Sequence, residues 1–113
     1  MDSNTKNYKA FLFNIAGVQF HQYKDALATE ALETGATLDV IPEPENPYDT
    51  TAVALYWNGY KLGYIPNKGY NQSAECKETI EKSGVDKCRC ILSKLDIDET
   101  TYRMFNVLLE VEV

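Results

Sequence analysis

Short runs rich in aromatic and β-branched residues, bounded by Gly, Pro and Asn-Gly, recur along this chain, and in the last of them apolar and polar positions alternate with the period of two that marks a half-buried β-strand. Residues 8–16 are rich in aromatic and β-branched side chains and stop at Gly17, so they predict a first strand. Residues 17–23 predict a turn leading into a short extended piece. Residues 37–41 predict a second strand, 51–57 a third and 60–65 a fourth, the last halted by Pro66. Between the third and fourth lies Asn58-Gly59, a dipeptide suited to the positive φ angles of a tight hairpin turn. Residues 85–95 and 102–113 predict two final strands joined by the polar loop 96–101. In the last strand Val107, Leu109, Val111 and Val113 alternate with Leu108, Glu110 and Glu112, so one face is expected buried and the other partly solvated.

Two segments break the period. Residues 25–32 carry Ala26, Leu27, Ala28, Ala31 and Leu32, good helix formers that share a face, with Gly35 beyond them as a stop. Residues 72–83 predict a second helix ended by Gly84, with a thin apolar stripe of Ala74, Cys76 and Ile80. Three prolines at 42, 44 and 47 exclude a central strand there. The pattern therefore predicts a mainly β domain with two short helices, a small closed or nearly closed barrel spanning residues 1–113.

Composition adds few constraints. The 113 residues are 44 % apolar and 25 % charged, close to the soluble average. No apolar run reaches the length that spans a bilayer. The polar N-terminus lacks a signal-like apolar core, so a cytoplasmic protein is expected. Three cysteines, an odd number, fit a secreted disulfide framework poorly and read as apolar fillers in a reducing compartment. The formal net charge is −6, which opposes simple electrostatic capture of nucleic acid. That charge is uneven: residues 60–94 carry seven Lys and Arg against four acids, so an anionic ligand is best sought on the middle third.

Catalytic arrangements are absent from the pattern. The one imidazole is His21, no Ser sits in a nucleophile elbow, and no glycine loop precedes a helix as a phosphate cradle would require. Asp96, Asp98 and Glu99 begin like a calcium loop, but its glycine and terminal glutamate are missing. Cys76, Cys88 and Cys90 with His21 supply four zinc-ligand types, yet their spacing matches no standard knuckle, so no cofactor is expected and zinc stays a remote alternative.

Three blocks carry a resemblance. They are Ala16-Gly17-Val18-Gln19-Phe20; Glu43-Pro44-Glu45-Asn46-Pro47-Tyr48-Asp49 followed by Thr51-Ala52-Val53-Ala54-Leu55; and Asn58-Gly59-Tyr60-Lys61-Leu62-Gly63-Tyr64-Ile65-Pro66. Together they resemble the HIRAN domain, with a motif core over about residues 8–66. The resemblance implies a modified OB-like barrel, found alone or fused to helicase-like DNA remodelling enzymes. It implies a non-catalytic module for single-stranded DNA, in particular a free 3′ end at damaged or stalled replication sites, working with a helicase or nuclease partner. Carried onto this chain, the DNA-binding residues are Gln19, Phe20, His21, Asn46, Tyr48, Asp49, Tyr64 and Lys68, with Lys61 a weaker phosphate contact. Asp49 would accept the terminal hydroxyl, and the aromatics would stack on bases. After Gly17-Val18 some DNA-binding members have Arg and two aromatics, where this chain has Gln19, Phe20 and His21.

Two alternatives stay open at this level. Asn46 and Asp49 are also natural turn residues whose side chains bond the local backbone. A protein-interaction adaptor that keeps the barrel without binding DNA is favoured by the acidic balance and by Gln19 and Asn67.

Overall fold

A computed structural model describes residues 7–67 and 72–113. Six strands are present: β1 (Tyr8–Asn14), β2 (Thr37–Pro42), β3 (Val53–Trp57), β4 (Tyr60–Tyr64), β5 (Cys88–Leu95) and β6 (Phe105–Glu112). Two helices accompany them, α1 (Tyr23–Ala28) and α2 (Ser73–Ser83), with one-turn 3-10 segments at Val18–Phe20 and Val85–Lys87. All pairings are antiparallel, in the order β1-β6-β5-β2-β3-β4.

Of the closed or nearly closed barrel expected, the mainly β class holds, but among the described residues no continuous ladder closes the sheet. Strand β2 joins β5 through two residue pairs only, Thr37 with Ile91 and Leu38 with Cys90, and then runs on with β3 alone. The sheet thus bends at β2, and its outer strands β1 and β4 approach without laddering. They meet at one bridge, where Ala16 and Tyr64 exchange two backbone hydrogen bonds of 2.9 Å. Gly17, at φ 71°, then turns the chain away into the 3-10 segment, which is why pairing stops there.

The core follows the alternation seen in the sequence. Phe11, Phe13 and Ile15 point inward from β1 and its extension, while Leu12 is exposed. Phe105, Val107, Leu109 and Val111 form the buried row of β6, each removing side-chain surface worth roughly 1.5–3 kcal/mol. Val113 is exposed and ends that row. Leu38, Leu55, Leu62, Cys90 and Leu92 meet them from the other strands. Helix α2 buries Ser73, Cys76, Thr79 and Ile80 and leaves its other face wet.

Local departures have local causes. Helix α1 ends four residues early, and the left-handed residue after it is Glu30 at φ 59°, not Gly35. Thr29 Oγ1 donates to Ala26 O (2.7 Å) and accepts from Ala31 N (3.1 Å), so a threonine side chain takes over the helix end. The Asn58-Gly59 turn forms as expected, with φ of 48° and 83°. Trp57 stacks on its cross-strand partner Tyr60 at 6.1 Å between ring centroids, a packing role.

Candidate functional site

The three sequence blocks converge at the place where β1 and β4 meet. The β2–β3 connection supplies the middle block, and its shape is set by two side chains. Asn46 Oδ1 accepts from the backbone N–H of Tyr48 (2.9 Å) and Asp49 (3.1 Å), an Asx-type turn. Asp49 Oδ1 accepts from Thr51 N (2.8 Å) and Thr51 Oγ1 (2.6 Å). The turn therefore leaves Tyr48 pointing outward, 96 % exposed.

The same side chains also reach distant elements. Asn46 Nδ2 donates to Glu43 Oε1 (3.0 Å), and the Tyr64 hydroxyl from β4 donates to that oxygen as well (2.9 Å). Lys61 Nζ donates to Glu43 Oε2 (2.7 Å) and to the Tyr64 hydroxyl (2.5 Å). His21 sets its ring edge-on to Tyr64 at 5.3 Å. Gln22 clamps the backbone of Lys61 by accepting from its N–H through Oε1 (3.0 Å) and donating to its carbonyl (2.9 Å). On the other side Asp49 Oδ2 accepts from Asn67 Nδ2 (2.8 Å) and from Lys77 Nζ of α2 (3.3 Å), and Lys77 also donates to Asn67 Oδ1. A connected polar network thus runs from His21 through Tyr64, Glu43, Asn46 and Asp49 to Lys77.

Electrostatics follow from these contacts. The Thr51 donors, then Asn67, hold the Asp49 carboxyl well below the usual range, outweighing the effect of burial. Burial alone would raise Glu43, but donors from Lys61, Asn46 and Tyr64 win and lower it. Burial, then the nearby Lys61 charge, push His21 below its ordinary value against a smaller pull from Glu43, so its imidazole is neutral at neutral pH. Since both carboxylates bind protons less readily folded than unfolded, stability is expected to be steady down to about pH 5. It should then fall through and below the ordinary Asp and Glu values of 3.8 and 4.5. Thermal melts between pH 7 and 2.5 check this, and Asp49→Asn should flatten the acid limb.

Several expected positions have a definite place. Phe20 stands on the 3-10 turn, 79 % exposed, beside exposed Gln19. Asn46, Tyr48, Asp49 and Tyr64 share the network just described. Lys68 lies outside the described residues. Lys61, offered as a phosphate contact, is ion-paired with Glu43 and half-buried. Glu43, Gln22 and Lys77 were not singled out by the sequence, since nothing local marks them. Cys76 and Cys90 are buried, and burial pushes both thiols up to about 12. Among the described residues no group of three His, Cys, Asp or Glu is placed to hold a metal ion, and His21 packs on Tyr64 instead. Among them, too, no helix is long and apolar enough to cross a membrane.

Fold and site together define a small antiparallel β module with a fixed, ionised carboxylate, Asp49, one residue from the outward-pointing Tyr48. The HIRAN domain profile matches residues 8–109, and the chain belongs to the HIRAN domain family, a family of nucleic-acid-binding modules. Two solved structures share its fold. A crystal structure of a protein from Lactobacillus plantarum aligns with TM-score 0.65 at 19 % identity, covering 96 % of this chain and 98 % of that one. The crystal structure of the HIRAN domain of human HLTF aligns with TM-score 0.63 at 10 % identity, covering 98 % of this chain and 82 % of that one. No curated protein sequence matches the chain significantly.

Proposed function

We propose that this chain is a non-catalytic module that binds single-stranded DNA at a free 3′ hydroxyl end, with any helicase or nuclease chemistry supplied by a partner at damaged or stalled replication sites. The observation that carries this reading is Asp49, an ionised and partly exposed carboxylate held in place beside fully exposed Tyr48. A carboxylate accepts a hydrogen bond from a hydroxyl and repels a terminal phosphate, so it separates a strand end from a strand interior. Its four acceptor positions are filled by Thr51 N, Thr51 Oγ1, Asn67 and Lys77. The Lys77 contact is the longest at 3.3 Å, so an incoming hydroxyl replaces it while Lys77 keeps Asn67 and Thr51 as partners. Tyr48 and Phe20 offer faces for base stacking, worth about 1–3 kcal/mol per base.

A second reading, an interaction barrel that does not bind DNA, is favoured by one observation. Among the described residues the two lysines that the fold brings to the site, Lys61 and Lys77, are neutralised by carboxylates. Fluorescence anisotropy at low salt separates the two. A short labelled single strand should bind more tightly with a 3′ hydroxyl than with a 3′ phosphate. Absence of binding to either strand would replace the DNA reading with the adaptor.

A further inference from the structure

The charge balance of the site leaves a question of where a strand's phosphates are met. An open groove of about 440 Å³ runs between the β1 extension and the β5–β6 loop. Its walls include Asn14, Gly17, Gln19, Pro66, Arg103 and Asn106, and among the described residues no carboxylate lines it, in a chain of net charge −6. The larger groove, between α2 and the β2–β3 connection, is lined by Glu78 and Glu81 and by Lys77, which is already paired with Asp49, so it suits an anion less well.

Arg103 differs from the lysines of the motif. Among the described residues it forms no ion pair. Its loop is nonetheless fixed. Asp98 Oδ1 accepts from Thr100 N (2.9 Å) and Thr101 N (3.3 Å), and Asp98 Oδ2 accepts from Thr101 Oγ1 (2.8 Å). Tyr102 N donates to Asp98 O (2.9 Å), and the Tyr102 ring packs edge-on against Tyr23 at 6.0 Å. Tyr102 takes φ 57°, a left-handed turn placed just before Arg103. Asn106 Oδ1 accepts from Ser93 Oγ (2.7 Å), which leaves its amide nitrogen as a donor to a ligand. The groove also touches the end-reading residues through the chain itself, since Pro66 precedes Asn67, a partner of Asp49, and Gln19 precedes Phe20.

We infer that this groove binds a phosphodiester of the single strand, with Arg103 as the cation and the amides of Asn14, Gln19 and Asn106 as donors. The inference rests on the DNA-binding reading above. A planar guanidinium on a fixed loop suits two phosphate oxygens at once, and a rigid site loses less entropy on binding.

The test is anisotropy with a short labelled single strand carrying a 3′ hydroxyl, measured across a salt series with the full chain. Arg103→Ala should weaken binding about tenfold and lower the slope of log affinity against log salt by about 0.7, the release expected for one phosphate. Lys94→Ala, which removes an exposed cation outside the groove, should leave both unchanged. Gln19→Arg added to Arg103→Ala restores a guanidinium from the facing wall and should recover affinity. If wild type binds and Arg103→Ala matches it, or loses no more than Lys94→Ala, the groove assignment fails while DNA binding stands. If wild type binds no strand at low salt, both fall.

Discussion

Asp49→Ala is expected to cut affinity for a strand with a free 3′ hydroxyl by ten- to a hundredfold, while affinity for the same strand with a 3′ phosphate stays almost unchanged. A hydrogen bond to a charged group contributes about 1.5–3 kcal/mol, and each 1.4 kcal/mol is tenfold. The phosphate end never had that bond, and loses only a repulsion. The variant also strips Lys77, Asn67 and Thr51 of an acceptor. Lys77 keeps the Asn67 carbonyl and Thr51 hydroxyl, so the cation is not stranded. Stability should therefore drop by about 1–2 kcal/mol without unfolding the protein. The end comparison is internal to one variant, so a general weakening cannot imitate it. Equal losses at the two ends would sink the hydroxyl-reading role of Asp49.

Gly63→Ala should be the most damaging single methyl in the protein. Gly63 sits at φ 154°, and a Cβ there would stand 2.3 Å from the Ala16 carbonyl oxygen and 2.6 Å from Ile15 Cγ2. The first obstacle is backbone and is itself the acceptor for Tyr64 N–H at 2.9 Å, so it cannot move without breaking the bridge that brings β1 to β4. Overpacking and backbone strain each cost about 1–3 kcal/mol, so about 3 kcal/mol together is a modest expectation. For a chain of this size that lowers Tm by roughly 10 °C. Amide exchange at Tyr64 and Ala16 should speed up more than exchange in the β5–β6 ladder. A shift of Tm under about 2 °C would mean the close approach is not needed. The same bridge carries Tyr64 and, through it, His21, so the variant should weaken DNA binding as well.

Half of the site was legible because half of it is local. Asn46 and Asp49 bond backbone amides two or three residues on, an arrangement that residue type and spacing announce. Tyr48 is exposed because that turn points it out. Glu43 was read as the first residue of the second resemblance block and was given no role of its own. It became a hub because β4 places Lys61 and Tyr64 against it, 18 and 21 residues away. Lys77 was invisible for the same reason, since an amphipathic helix pattern says which face is buried and not which loop the other face touches. Lys61 reads as a free cation in a basic middle third, but its partner is an acid from the acidic first half.

The sequence alone determined the strands, the second helix, the tight hairpin and the alternation that sets the core, because these depend on periods of two or 3.6 and on turn residues a few positions apart. It also carried the family, through three blocks of particular residues. It did not determine that the sheet stays open. That outcome turns on a ladder of two pairs between β2 and β5 and on Gly17, which turns the chain away after a single bridge between β1 and β4. Nor did it set the charge of the site. Whether a lysine meets a phosphate or a carboxylate depends on which acids the fold carries to within about 3 Å of it, a distance that no count along the chain contains.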